Sequence, residues 1–433
     1  MINSFLNLLS AGLDALRKSS RPGFGSLGCV LLAGIFLFPA LSIPAESLTI
    51  EKAVEIALAG NPDVLFAGNE IAAARGRTMQ LGARPDPLFA ASVEGAPLPG
   101  RGQDGAETEF SLGIEQVFEY PGKRSLRAKI GRLDENLAEA EFERVRLIVA
   151  AKVKCAYWKA VFARDSVRAL EKSFERLDLL LSDLQAKYRS GTAAYADVLR
   201  ARAEKARLRN QIIDGEKEQR GAALELNDLL GRPSAEPIEL QSAMTFTALA
   251  VDLVGIWERA SSSRPSLRMA AIRKDRAATA VRLARLGRHP DLFAGFSLPS
   301  ARTDAWGVSL GLTLPFLRPG RARGLALEAD AEAENAGLMA DQRGRRIRSS
   351  LEYAYSSAKA AEEQIQVFEQ GLLRELDDEL RIQLEYFRYG QAEAYSILDL
   401  HRTYVLAELE HLRAVLFFNL ALADLEVAGE ELP

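Results

Sequence analysis

Three stretches of this chain recur, in the same order, about 200 residues downstream. "LGARPDPLFAASVEG" from Leu81 is matched by "LGRHPDLFAGFSLPS" from Leu286. "FSLGIEQVFEYPGKRSLRA" from Phe110 is matched by "VSLGLTLPFLRPGRARGLA" from Val308, and "KYRSGTAAYADVLRARAE" from Lys187 by "YFRYGQAEAYSILDLHRT" from Tyr386. The offsets are 205, 198 and 199 residues. A repeat at one offset restricts the fold to an element order written twice. We expect repeat one over 46–235 and repeat two over 236–433, joined by the helix-breaking run from Arg232-Pro233 to Pro237.

Each repeat reads as helix, strand, strand, long helix, return helix. The opening helices are expected over about 48–82 and 248–287, ending before Pro85 and Pro290. The strands alternate. Phe110, Leu112, Ile114, Phe118 and Tyr120 fall on one face, and Glu109, Ser111, Gly113, Glu115 and Glu119 on the other. In repeat two, Trp306, Val308, Leu310, Leu312, Leu314 and Phe316 oppose Gly307, Ser309, Gly311 and Thr313. The partner strands follow suit, with Phe89, Ala91 and Val93 in one and Leu292, Ala294, Phe296 and Leu298 in the other. Such period-two patterning suits a soluble sandwich as well as a membrane strand. Runs of about ten residues are long enough for a tilted strand to cross a bilayer, and small or acidic inner faces suit a water-filled lumen. Four strands cannot close a barrel, and lipid forbids an open sheet edge. The membrane reading therefore demands an oligomer, and three copies supply twelve strands.

Glycines bracket the long helices. Gly122 to Gly191 spans 69 residues and Gly320 to Gly390 spans 70, or roughly 100 Å each. Two short helices per repeat stack end to end to match one long one. Leu133, Leu137 and Ala140, and Leu380, Leu384 and Phe387, recur at helical spacing, with many alanines that permit close helix approach. A plain coiled-coil scaffold would use the same pattern.

At the front, Arg17, Lys18 and Arg21 precede the apolar run Leu27–Ala40, followed by Ser42-Ile43-Pro44-Ala45. This is the order of a secretory signal peptide, expected over 1–45, and too short for a spanning helix. Cys29 stands at the start of that run, ahead of where a lipidation cysteine belongs, and Cys155 is the other cysteine. A net charge of −4 gives no reason to expect a nucleic-acid partner. His289, His401 and His411 show no metal-ligand spacing, and we find no catalytic constellation and expect no cofactor.

These features together resemble the TolC-like outer-membrane efflux protein family. The carrying segments are the joints "QVFEYPGKR" (Gln116–Arg124) and "LPFLRPGR" (Leu314–Arg321), the hairpins "YRSGTAAYADVLRARAE" (Tyr188–Glu204) and "FRYGQAEAYSILDLHRT" (Phe387–Thr403), and the opening "LTIEKAVEIALAGNPDV" (Leu48–Val64). The resemblance implies a mainly α fold with a small membrane β part. A homotrimer would form a 12-stranded β-barrel continued by a 12-helix α-barrel through the periplasm. It implies an outer-membrane exit duct and no enzyme, working with a periplasmic adaptor and an inner-membrane pump. The phrase "FEYPGKR" looks most like members paired with heavy-metal exporters of the resistance-nodulation-division class, although a strand-to-helix joint needs proline and glycine for geometry alone. Drug efflux, type I protein secretion and a soluble periplasmic scaffold are the alternatives.

The resemblance also suggests sites. Ser190, Gly191, Thr192, Tyr389, Gly390 and Gln391 are expected at the tips that meet the adaptor. Asp399 falls on an acidic position of the closed aperture. Its companion position holds Ser396, with Glu393 nearby as a substitute and Arg388 or Arg402 as counter-charges for closure. Asp197 in the other hairpin reads as structural. Phe110, Leu112, Ile114, Val308, Leu310 and Leu312 are the expected lipid-facing residues.

Overall fold

A computed structural model describes residues 47–94, 109–250, 252–298, 306–428 and 430. They belong to one compact unit, Ala45–Pro433. The expected signal peptide lies outside the described residues.

The opening helix is two helices. α1 (Ile50–Gly60) begins at Thr49, whose Oγ1 accepts from Lys52 N at 3.3 Å. α2 (Pro62–Gly82) begins at Asn61, whose Oδ1 accepts from Asp63 N at 2.9 Å. Pro62 has no N–H to donate and pushes Asn61 out of the helical region, to φ −68° and ψ 129°. The second half breaks likewise, between α5 (Leu253–Ser263) and α6 (Pro265–Leu286), with Arg264 extended before Pro265. The single helices expected over 48–82 and 248–287 are thus each divided at an X-Pro step.

β1 (Leu88–Glu94), β2 (Glu109–Phe118), β3 (Leu292–Leu298) and β4 (Gly307–Leu312) form one antiparallel meander in the order β1-β2-β3-β4. Register puts the apolar residues in rows across it: Ala91 opposite Leu112 opposite Leu298, and Phe89 opposite Ile114 opposite Phe296 opposite Val308. Residues directly opposite one another share a face. The other face carries Ser92, Ser111, Gly113, Gly295 and Ser309, with Ser92 and Ser111 hydroxyls 2.7 Å apart. β4 stops at Leu312, short of the expected Phe316, because Pro315 opens a 3₁₀ turn, Pro315–Leu317.

α3 (Lys123–Arg189) runs 67 residues without a break, and α4 (Tyr195–Leu229) returns along it. Its counterpart was expected to run unbroken from Gly320 to Gly390. Instead α7 (Pro319–Val367) passes through a π-helical stretch, Phe368–Leu372, into α8 (Leu373–Arg388), and α9 (Ala394–Val427) returns. Gly371 sits at φ 121°, a conformation that L side chains resist, so the helix path breaks where the chain offers a glycine.

The helices near the sheet lie in the order α2-α3-α6-α7, the order of the strands they continue. Toward the hairpins the order becomes α4-α3-α9-α8. The switch happens where short helices meet end to end. Asn61 Nδ2 donates to Leu229 O, the last residue of α4, at 3.0 Å. In the second half Arg264 donates to Leu425 O at 2.7 Å and to Glu426 O near the end of α9. The residue forced out of the helix by proline thus satisfies orphan carbonyls of the incoming helix. Beside this level lies an apolar core around Tyr157, Val153, Leu226 and Leu230. The extended connection 231–250 is clamped there, with Tyr157 Oη 2.8 Å from Ser242 Oγ, Leu48 bridged to Leu240, and Arg164 donating to Leu240 O and Ser242 O at 2.7 and 2.6 Å.

Candidate functional site

The two hairpin turns sit side by side. Gly191 (φ 79°) and Gly390 (φ 76°) each supply the left-handed residue that ends a helix. Lys187 at the end of α3 reaches across to the other turn, donating to the carbonyls of Phe387 and Arg388, with its ammonium 4.4 Å from the Phe387 ring centre. Phe387 O also accepts from Gly390 N at 3.0 Å, so Lys187 adds a second donor at the end of α8. Ser190, Gly191, Thr192, Tyr389, Gly390 and Gln391 are all exposed, and Tyr389 projects at 77% exposure. Ser190 and Thr192 hydroxyls both donate to Lys187 O, which stiffens the first turn.

Behind the turns, α3, α4, α8 and α9 share an apolar core that includes Leu177, Leu184, Val198, Ile212, Phe387 and Ile397. The exposed stripe of α9 carries Glu393, Ser396, Asp399 and Thr403, three or four residues apart. Ser396 Oγ donates to Glu393 O at 2.8 Å, and Glu393 at the N-cap of α9 makes no side-chain capping hydrogen bond. The expected counter-charges point elsewhere within the chain. Arg388 pairs with Glu385 at 2.7 Å and Arg402 with Glu204 at 2.8 Å. Asp197 lies in the first turn of α4, paired with Arg200 at 3.3 Å.

Glu204 is the group that sequence reasoning missed. It is 5% exposed, on the α4 face turned toward α9, and receives Arg207 from its own helix and Arg402 from α9. Burial alone would raise its carboxyl, but the hydrogen bonds from Arg402 and Arg207 outweigh it and hold the group below the ordinary carboxylate range. Next to Arg402, His401 is 3% exposed, with Nε2 3.1 Å from Ser173 O and Nδ1 unpartnered. Its burial lowers its pKa and favours the neutral ring. Nothing local marks either residue, since Arg402 and Ser173 lie 198 and 228 positions from their partners.

At the other end, the named strand residues are exposed: Phe110, Leu112, Ile114, Val308, Leu310 and Leu312. So are flanking apolar residues on α2 and α7, among them Phe66, Met79, Leu327 and Leu338. β1 and β4 each have one unpaired edge, and α2 and α7 flank the helices beneath the sheet as β1 and β4 flank the strands. Among the described residues no helix is long and apolar enough to cross a membrane.

This chain matches the family described as Outer membrane efflux protein over residues 53–232 and 256–428. It is 24% identical over 316 residues to the pyoverdine export outer membrane protein OpmQ of Pseudomonas putida, a match covering 66% of this chain and 65% of that one, just under two thirds of the relative's length. Its fold is shared with the CmeC outer membrane channel of Campylobacter jejuni (TM-score 0.76, 15% identity, 88% of this chain and 85% of that one). It is shared also with the outer membrane protein VceC of Vibrio cholerae (TM-score 0.73, 19% identity, 88% and 97%) and with CusC (TM-score 0.76, 18% identity, 88% and 91%). The chain belongs to the outer membrane efflux protein family and is a protein of the outer membrane.

Proposed function

We propose that the chain is the passive exit duct of a tripartite efflux system. The carrying observation is the four-stranded sheet with one apolar exposed face, two open edges and helices that continue its strands in the same order. Lipid tolerates such a sheet only when the edges are closed. Three copies, β4 of each beside β1 of the next, give a 12-stranded barrel above a 12-helix tube. In this reading residues 1–45 are the export signal, 46–235 and 236–433 are the two repeats, and the helices stand in the periplasm.

Energy comes from an inner-membrane pump, and a periplasmic adaptor meets the exposed tips at Ser190–Thr192 and Tyr389–Gln391. Asp399 and Glu393 repeat around the threefold axis and hold the aperture as an acidic ring that attracts cations. For cargo we favour heavy-metal cations expelled by a resistance-nodulation-division pump, on the strength of the "FEYPGKR" joint. The similarity to a pyoverdine export protein supports a second reading, small organic molecules. The duct is tested by fractionation and planar-bilayer recording of the purified protein. We expect a heat-sensitive trimer in the outer membrane that conducts. A soluble periplasmic monomer without conductance defeats the proposal. Growth of a deletion strain on metal salts against siderophores separates the two cargoes.

A further inference from the structure

The two strand-to-helix joints look alike in sequence and differ in charge compensation. At the first, Lys123 pairs with Asp291 at 2.8 Å and Arg127 with Glu119, which leaves Arg124 as the cation of that joint without an ion-pair partner among the described residues. Asp291 also accepts from Tyr120 N at 2.7 Å, and the His289 ring stacks on Tyr120 at 4.3 Å. At the second, the segment 313–327 carries Arg318, Arg321 and Arg323 and no acidic residue. None of the three, nor Arg288 in the turn just after α6, has an ion-pair partner among the described residues, while Arg285 is held by Asp330 at 3.1 Å.

Of these cations Arg285, Arg288 and Arg323 line a cleft of about 540 Å³ between the end of α6 and the start of α7, together with His289, Phe316 and Pro319. α7 begins there with no side-chain cap, so the N–H groups of its first turn have no capping acceptor. Phe316 and Leu317, 63% and 67% exposed, stand beside it in the 3₁₀ turn that leaves β4. A cluster of unpaired guanidinium groups, a free helix N-terminus and exposed apolar side chains together ask for a ligand with an anionic oxygen cluster and an acyl tail.

We propose that this cleft binds the phosphate headgroup of an anionic phospholipid in the periplasmic leaflet of the outer membrane. The inference rests on the duct reading, in which β4 ends at the membrane surface. Arg288 and Arg323 grip the phosphate oxygens, the first turn of α7 donates to the same group, and the acyl chains run past Phe316 and Leu317 toward the strand face. The first joint, largely neutralised internally, has less to offer such a lipid.

The test is native mass spectrometry of the full-length assembly, taken from nanodiscs containing equal phosphatidylglycerol and phosphatidylethanolamine. We expect retained phosphatidylglycerol in excess of phosphatidylethanolamine. The double variant Arg288→Ala/Arg323→Ala should bind phosphatidylglycerol roughly thirtyfold more weakly, on the usual contribution of two surface cations. Arg374→Ala, far along the chain in α8, should leave retention unchanged. Equal retention of the two lipids, or retention unaffected by the double variant, overturns the proposal and gives the cations to a neighbouring copy. Planar-bilayer conductance of the same preparation keeps the two readings apart. A conducting assembly without lipid preference sinks this inference alone, whereas loss of conductance and membrane insertion in the wild type sinks the duct.

Discussion

The first long helix runs unbroken through 67 residues, whereas its counterpart is jointed at Phe368–Leu372. α3 has helices of its own chain along both sides at every level, α2 and α6 near the sheet and α4 and α9 near the tips. α7 and α8 have own-chain neighbours on one side only, and Tyr353, Val367 and Ile382 lie open on the other. A helix packed on both flanks has its register fixed along its whole length. A helix at the flank can take up a π insertion that re-aims everything downstream, and here that includes the hairpin bearing Asp399. The first half thus reads as the rigid member and the second as the adjustable one.

The largest effect tests both halves at once. Leu112→Arg in the inner strand β2 and Leu310→Arg in the edge strand β4 should each abolish heat-sensitive trimers in outer-membrane fractions. A lipid-facing arginine costs about 2–4 kcal/mol near the midplane. Normal assembly of both variants would remove the membrane role of the strands and with it the contrast.

Next comes the tie between the halves. Glu204→Ala leaves Arg402 and Arg207 without their shared acceptor, at a cost of about 1–3 kcal/mol. Limited proteolysis should then cut within the hairpins before the wild type is touched. Asp197→Ala, which loses only a pair with exposed Arg200, should change stability by less than about 0.5 kcal/mol.

The pH response follows from the same neighbourhood. His401 is held below its ordinary value of 6.5 in the folded tip, so the unfolded tip binds the proton first as pH falls. The contribution of His401 to tip stability is therefore complete above about pH 6.5 and declines below it. Glu204 works lower, since its depressed carboxyl stabilises above 4.5 and loses that contribution as pH falls through its folded value. Hydrogen exchange of α9 between pH 7 and pH 5 should show faster opening in the wild type and a flatter profile in His401→Gln.

Two glycines sharpen the comparison of the helices. A methyl on Gly131 in α3 would lie 2.9 Å from Thr78 Cα, so that glycine serves close approach to α2. Gly371 has open space beyond a flexible Glu375 side chain but a positive φ, so Gly371→Ala is strained by about 1–2 kcal/mol through the backbone. Thermal dissociation should register both, and single-channel recording should separate them, with altered open probability for Gly371→Ala alone. The smallest effect on stability belongs to Asp399→Ala, an exposed side chain. There we expect unchanged thermal dissociation and a change in conductance or cation preference; identical currents would retire Asp399 as an aperture residue.

Much of this architecture is legible in the residues. Alternation at Phe110–Ile114 and Val308–Leu312 gives strand faces, because side chains project with period two whatever the tertiary context. Gly191 and Gly390 mark the turns because a left-handed residue is needed there. The X-Pro breaks at Asn61 and Arg264 were equally visible, recurring 203 residues apart, but helix periodicity continues across them and masked the signal. Gly371 was less legible, since a helical glycine is usually tolerated and its φ depends on packing.

The sequence by itself determined the element order, the doubled plan and the faces of the strands, since these follow from local periodicity and from residues with restricted backbones. Tertiary structure alone decided that Glu204 lies buried between Arg207 and Arg402, that Lys187 reaches the opposite turn, and that Lys123 and Arg127 of one joint are paired while Arg288 and Arg323 of the other stand open. Charges pair by distance in space, and residues separated by about 200 positions in the chain carry no local sign of the partner they will meet.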